Sequence, residues 1–256
     1  MKYLLLSTLL FSACSLLSKG GKDDDMGIYK RLKNAYALEE NSGKFYLIRE
    51  RGVRKSSNEF VVKREVYPED RNKSKILEKS ISISKIGNLK KTVKILRPHQ
   101  SQYVVWFDGK KYSNEIKLNT TTRKLELKLD SPEKQWQGKR EFDLPNTNAV
   151  YCFFNQVIEC AQVTGFISKA YEKGFGKMNF YVIWNGFPYF HEQYLNLEQS
   201  IFSKAVLEYD GQDKKTGELK FSLNTSGQAI FYILNDSFKL KKKFWISQGL
   251  SMLMVK

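Results

Sequence analysis

The sequence predicts a mainly β protein: a large antiparallel sheet curved into a half-barrel or open barrel, with one main helix at about residues 149–172 packed on it. From residue 44 onward, many short segments alternate apolar and polar residues with a period of two, which is typical of strands with one wet face. Turn-forming residues separate these segments at short intervals, as in an antiparallel meander. No linker or change of composition divides the strand-forming region in two.

Seven strands are predicted in the first half of the chain. Asp108-Gly109 is a strong hairpin signal, and Gly87 and Asn88 mark another turn. Pro98 is expected to end a strand, because proline has no amide N–H for the ladder. The predicted segments are KFYLIRE (44–50), EFVVKREVY (59–67), ILEKSISISKI (76–86), KTVKILR (91–97), QYVVWF (102–107), KKYSNEIKL (110–118) and KLELKLD (124–130).

The helix is predicted because apolar residues recur at helical spacing over about 149–172. Asn148 is a candidate N-cap, Gly174 can close the C-terminal end, and Gly165 marks a point where the helix can break. The apolar stripe is expected to lie on the concave side of the sheet as core. Its members are Val150, Phe154, Val157, Ile158, Ala161 and Gly165.

An aromatic-rich segment follows the helix. NFYVIW (179–184) and FPYFHEQY (187–194) are predicted to form a hairpin joined by a turn at Asn185-Gly186. One side of this hairpin must pack in the core, and the other side can expose rings to a hydrophobic or sugar-bearing ligand. Core packing alone also explains the segment. The candidate ligand-binding residues are Phe154, Tyr181, Trp184, Phe187, Tyr189 and Phe190.

Five further strands are predicted after this segment, and one of them is rich in lysine. The formal net charge of +16 favours anionic partners. Lysines next to Phe244 and Trp245 suit contact with an anionic membrane surface, and an edge strand protected from aggregation by lysine would have the same pattern. The candidate contact residues are Lys239, Lys241, Lys242 and Lys243. The five segments are 200–210, 217–224, 228–235, 238–247 and 250–256.

No catalytic motif is present in the sequence. There is no G-x-S-x-G elbow, no phosphate-binding glycine loop and no dinucleotide fingerprint. The two histidines, His99 and His191, lack a second member of a site. We therefore expect no enzymatic activity, no catalytic residue, no metal and no cofactor.

Cys152 and Cys160 are eight residues apart within the predicted helix. A rise of about 1.5 Å per residue separates their Cα atoms by about 12 Å. A disulfide requires less than about 7 Å. An even number of remaining cysteines in a secreted protein invites a bridge, but the helical spacing favours two buried free thiols.

The N-terminal segment MKYLLLSTLLFSAC has the layout of a secretion signal, with a positive residue, an apolar run and small residues before Cys14. This pattern resembles the lipobox of bacterial lipoproteins, although Phe11 stands where the family mostly has Leu, Val or Ile. The resemblance implies cleavage of residues 1–13, lipidation of Cys14, a tether over 14–27 and a single β-rich domain over 28–256. A signal peptide cut elsewhere and a short membrane span are the alternatives. Ser15 after the cysteine favours the outer membrane, facing the periplasm.

The combination of a lipid anchor and a curved sheet is similar to the lipoprotein-localisation carrier and receptor family, whose half-barrels hold acyl chains. No diagnostic residue of that family aligns here, so no binding residue transfers. The leading hypothesis is a non-catalytic envelope lipoprotein that binds a lipid or acyl chain. The alternative is a structural lipoprotein whose basic face contacts anionic envelope polymers or a partner protein. Nucleic acid is not an expected partner for a secreted protein.

Overall fold

A computed structural model describes residues 29–72, 75–119, 121–146 and 148–255. The predicted signal peptide, Cys14 and the tether lie outside the described residues. No helix in the described part of the chain is long and apolar enough to cross a membrane.

Fifteen strands form one sheet. Each predicted strand segment overlaps a strand apart from 187–194, the segments 91–97 and 102–107 form one strand, and β1, β8 and β9 were not predicted as strands. The strands are β1 Leu32–Glu40, β2 Gly43–Arg54, β3 Glu59–Pro68, β4 Glu78–Lys90, β5 Val93–Phe107, β6 Lys110–Asn119, β7 Lys124–Asp130, β8 Gly138–Asp143, β9 Tyr151–Phe153, β10 Lys177–Ile183, β11 Phe202–Gln212, β12 Leu219–Thr225, β13 Gln228–Leu234, β14 Leu240–Trp245 and β15 Leu250–Met254.

The strand order explains the curvature of the sheet. The order runs β8 to β1, then β15 to β9, and every pair is antiparallel except β9 with β10. Laid flat, fifteen strands would span about 67 Å, yet consecutive strands β8 and β9 form the two edges. The chain between Asp143 and Tyr151 reaches at most about 28 Å. The sheet must therefore curl without closing, which confirms the predicted open barrel.

The single helix predicted over 149–172 is wrong at its N-terminal end. Residues Tyr151–Phe153 form β9 and residues Phe154–Gln156 a 3-10 turn, before helices α1 (Val157–Val163) and α2 (Phe166–Lys173). Pairing of β9 with β10 decides this, because ladder partners in the folded protein outweigh helical spacing. The break predicted at Gly165 is confirmed, since its φ of 71° is left-handed.

The prediction of two free thiols is also wrong. Cys152 and Cys160 form a disulfide with a Cα–Cα distance of 6.4 Å. The estimate of about 12 Å assumed a continuous helix, whereas Cys152 lies on β9 and Cys160 on α1. The bend between these elements brings the two residues together.

Removing this disulfide is expected to destabilise the protein. In Cys152→Ala/Cys160→Ala, the free energy of unfolding should fall by about 2–3 kcal/mol, because the bridge closes a short loop in the unfolded chain. Urea denaturation measures the change. Reductant should lower the urea midpoint of the wild type and leave that of the double variant unchanged. A double variant as stable as the oxidised wild type would contradict this expectation.

Two predicted strand ends differ from the structure, and a bulge explains the first of them. Pro98 lies inside β5 instead of ending it, because a register shift pairs Ile83 with Gln100 and Ser84 with Pro98, leaving His99 as the extra residue. A bulge tolerates the missing amide of proline. The turn predicted at residues 87–88 is wrong, since β4 continues to Lys90.

The second half of the aromatic segment is not a strand. After β10, the chain turns at Gly186 and forms a short helix, α3 (Tyr189–Gln193). Pro188 stands at the N-terminus of this helix, where proline is tolerated because that amide has no helical partner. The rings of the segment are thereby turned into the barrel interior instead of lying along a hairpin.

Candidate functional site

A row of small polar residues on β4 and β5 lets other segments approach the inside of the sheet. Ser82, Ser84 and Ser101 are fully buried and point inward. Asn185 donates from Nδ2 to the hydroxyls of Ser82 and Ser101 at 2.6 and 2.8 Å. Gln156 donates to the backbone carbonyl of Ser82 at 3.0 Å. These bonds attach the β9–α1 segment and the loop after β10 to the sheet.

A cavity of about 80 Å³ lies between these inserted segments and the sheet. One wall is aromatic and aliphatic, and the opposite wall carries charged and hydroxyl groups. The residues that line the cavity include Leu47, Arg49, Arg64, Ser80, Phe154, Asn155, Trp184, Phe190, Tyr232 and Lys243.

The aromatic wall is a continuous stack of rings. Trp184, at the end of β10, is fully buried, and its ring centroid lies 4.5 Å from that of Phe154 and 6.2 Å from that of Trp245. Phe190 of α3 packs on Tyr194 at 4.4 Å. Offset and tilted contacts of this kind stabilise aromatic clusters. The wall is therefore a preformed apolar surface.

The opposite wall contains buried ion pairs. Arg49 of β2 donates two hydrogen bonds to the carboxylate of Glu159 on α1, at 2.8 and 2.7 Å, and a third to the carbonyl of Asn155. Arg51 lies 3.9 Å from the same carboxylate. Burial acts to raise the pKa of Glu159, but the guanidinium groups of Arg49 and Arg51 hold it below its ordinary value. Arg64 pairs with Glu78 through a single contact, and burial raises the pKa of Glu78 above its ordinary value despite the nearby guanidinium group.

Lys243 differs from these arginines because it forms no ion pair among the described residues. Its Nζ lies 4.2 Å from the ring centroid of Phe154 and 5.8 Å from that of Tyr232. Burial, together with the positive charges of Arg64 and Arg49, lowers the pKa of Lys243 to about 7. The cavity thus holds a lysine that gains and loses its proton near neutral pH.

Three side chains at the cavity carry polar atoms without a hydrogen-bond partner among the described residues. They are the hydroxyls of Tyr103 and Tyr232, which are 2% and 3% exposed, and both side-chain polar atoms of Asn155. Buried polar atoms are almost always hydrogen-bonded, to protein or to another molecule. These groups therefore point to a further occupant of the cavity.

The structure brings together three of the six predicted ligand-binding residues. Phe154, Trp184 and Phe190 line the cavity. The remaining three have other neighbours in the core: Tyr181 stacks on Tyr151, Phe187 contacts Phe142 and His191, and Tyr189 contacts Tyr112 and Trp136.

The four predicted surface lysines do not share one environment. Lys239 is exposed, whereas Lys241 and Lys242 both pair with Glu218, at 2.7 and 3.2 Å. Lys243 enters the cavity because it lies two residues before the buried Trp245 and therefore points to the same inner face of β14.

Sequence reasoning missed the inward arginines, although the signal for them was present. Along β3, Arg64 shares the face of Phe60 and Val62 by its even numbering, and these two residues are fully buried. Along β2, Arg49 similarly shares the face of Leu47. A charged residue in phase with buried apolar residues indicates an internal polar site.

Neither histidine lines the cavity. Burial lowers the pKa of His191 to about 4, so it is neutral at pH 7. Within the described ranges, no group of three or more His, Cys, Asp or Glu residues is placed to hold a metal ion.

No protein-family model matches this sequence, and no curated protein sequence matches it. A structural comparison finds the crystal structure of a beta-barrel-like protein of domain of unknown function DUF1849 from Brucella abortus. The TM-score is 0.47 and the identity 10%, and the match covers 88% of this chain and 96% of that chain. A likeness of this size carries no information about a ligand.

Proposed function

We propose that this protein is a non-catalytic binding protein that holds a small amphipathic ligand, such as an acyl chain, inside its open barrel. The observation that carries this proposal is the cavity itself, with an aromatic wall of Phe154, Trp184 and Phe190 facing a polar wall. An apolar wall with a few convergent polar groups is the usual design of a small-molecule site.

The size of the cavity limits the ligand. A cavity of about 150 Å³ accommodates benzene, and the present one measures about 80 Å³. It suits a short acyl chain or the end of a longer one whose remainder extends outside. We expect affinity to rise with chain length and then to level off once the cavity is filled.

We further propose that the protein works in the cell envelope, anchored to the membrane by a lipid on Cys14. The disulfide between Cys152 and Cys160 supports this location, because structural disulfides persist in oxidising compartments. The anchor itself lies outside the described residues.

Filling the cavity tests the proposed function. Ser80 lies on the inner face of β4 and lines the cavity, whereas its neighbour Ile81 faces outward. Ser80→Leu should weaken binding of a fluorescent acyl probe at least ten-fold, because the added side chain occupies the cavity. Ile81→Leu is the matched control on the same strand and should bind like the wild type. A wild type that binds no acyl probe of any length would overturn the proposal.

A further inference from the structure

Among the described residues, Lys243 is the cationic side chain of the cavity that pairs with no carboxylate. Arg49 and Arg51 share Glu159, and Arg64 pairs with Glu78. The remaining nearby carboxylate, Glu40, accepts a hydrogen bond from Tyr194 at 2.8 Å. With every group ionised, these four cations face three carboxylates, so one negative charge from outside would balance the cluster.

The unpartnered groups beside Lys243 are suited to the same kind of ligand. Tyr232 and Lys243 are directly opposite each other on β13 and β14, and Phe154, under the lysine ammonium, adjoins Asn155. The ammonium, the hydroxyl of Tyr232 and the amide of Asn155 are all hydrogen-bond donors. Convergent donors around an uncompensated charge recognise an anion, and charge-assisted bonds are the stronger ones.

We propose that the cavity selects a carboxylate-bearing amphiphile, with the carboxylate bound by Lys243, Tyr232 and Asn155 and the chain packed on Trp184 and Phe190. This inference rests on the proposed function and adds the head-group chemistry to it. Octanoate, octanol and octylamine share a chain and differ in the charge of the head group. Carboxylate recognition therefore makes octanoate the tightest of the three.

The binding should depend on pH. The positive charges of Arg64 and Arg49 favour the neutral form of Lys243, whereas a bound carboxylate favours its protonated form. Octanoate binding above about pH 7 is therefore coupled to the uptake of a proton. Octanoate affinity should fall as the pH rises from 6 to 8.5, and octanol affinity should stay constant. The titratable and charged groups around Lys243 are Glu40 on β1, Arg49 on β2, Arg64 on β3, Glu78 on β4, Glu159 on α1 and Tyr232 on β13.

Calorimetric titration of the purified full chain at pH 6 tests the inference. Octanoate should bind at least ten-fold tighter than octanol, and Lys243→Met should remove that difference. Tyr232→Phe deletes only one hydroxyl and should weaken octanoate about three-fold or more. Lys241→Met is the control, because this lysine of the same strand pairs with Glu218 instead.

The outcomes separate the two proposals. Equal binding of octanoate and octanol, or a preference for octylamine, would overturn carboxylate recognition and leave the proposed acyl-binding function standing. Failure of all three to bind would overturn both. If Lys243→Met does not fold, the Tyr232→Phe variant and the wild-type pH profile decide the question by themselves.

Discussion

Glu159→Gln is expected to lower the free energy of unfolding by about 3–5 kcal/mol, because it leaves buried guanidinium groups without a counter-charge. The side chain of Glu159 is 3% exposed, and those of Arg49 and Arg51 are 11% and 7% exposed. Water can therefore do little to replace the lost carboxylate. The pair also joins α1 to β2, so the loss should loosen the wall of the cavity. Urea denaturation measures the effect.

An exposed ion pair provides the control. Lys124 and Glu141 lie 3.0 Å apart, with side chains 44% and 59% exposed. Glu141→Gln should change stability by less than about 1 kcal/mol, as is typical of surface pairs. Similar losses of stability in Glu159→Gln and Glu141→Gln would show that burial does not determine how much the Glu159 ion pair contributes.

Glu159 also contributes to the pH dependence of stability. Its pKa in the folded protein is below the ordinary value of 4.5. The folded state therefore binds this proton less readily than the unfolded state does, and its contribution is fully present above about pH 4.5. That contribution is lost as the pH falls through the folded-state pKa, and the wild type and Glu159→Gln should converge in stability there.

Lys243→Met is expected to have the opposite effect and to stabilise the protein, by about 2–3 kcal/mol at pH 6. Burial and the neighbouring arginines lower the pKa of Lys243 from 10.5 to about 7, so keeping the ammonium inside the barrel costs free energy. Water that reaches this partly buried side chain screens part of that cost. Methionine fills similar space without the charge.

The sign of the pH dependence follows from the same shift. Between about pH 7 and 10.5 the unfolded chain binds the proton of Lys243 and the folded protein releases it, so wild-type stability rises with pH over this window. The advantage of Lys243→Met should be largest below pH 7 and smaller at pH 9. Urea denaturation at pH 6 and pH 9 checks this, and an advantage that grows with pH would refute it. Lys241→Met should be neutral or destabilising, since Lys241 has a carboxylate partner.

Together, Glu159→Gln and Lys243→Met distinguish a charge that stabilises the fold from a charge that serves ligand binding. Glu159 neutralises cations that hold α1 in place, so its loss should cost stability. Lys243 carries a charge that the fold leaves unbalanced, so its loss should improve stability and, on our proposal, abolish carboxylate selection. Binding sites commonly retain groups that are unfavourable for folding.

Period-two patterning was sufficient to predict most of the sheet. A strand with one solvent-exposed face can be recognised from the alternation of apolar and polar residues in its own sequence. The segments at β3, β7 and β13 were found in this way. Alternation alone did not indicate which face of β4 is buried, because its inner face carries Ser82 and Ser84 and its outer face carries isoleucines. These small inward side chains leave room for the β9–α1 segment and the loop after β10, and the pattern of a single strand does not reveal those neighbours.

The candidate site was predictable only in part. The sequence indicated an aromatic surface, and Phe154, Trp184 and Phe190 do line the cavity. It did not indicate that Tyr189 would face another part of the core or that Lys243 would separate from Lys241 and Lys242. Those placements depend on α3 and on a register shift between β13 and β14, which arise from contacts between distant parts of the chain.

By itself the sequence determined a curved antiparallel sheet with a helical insertion, because alternation and turn residues are properties of neighbouring positions. Only the tertiary structure decided the disulfide between Cys152 and Cys160, the inward arginines with Glu159, and the unpaired Lys243 in the cavity. Each of these depends on how β9 and α1 insert into the barrel. The physical reason is that burial and charge pairing depend on distances in space, and these join residues that are far apart in the chain, such as Arg49 and Glu159 at a separation of 110 positions.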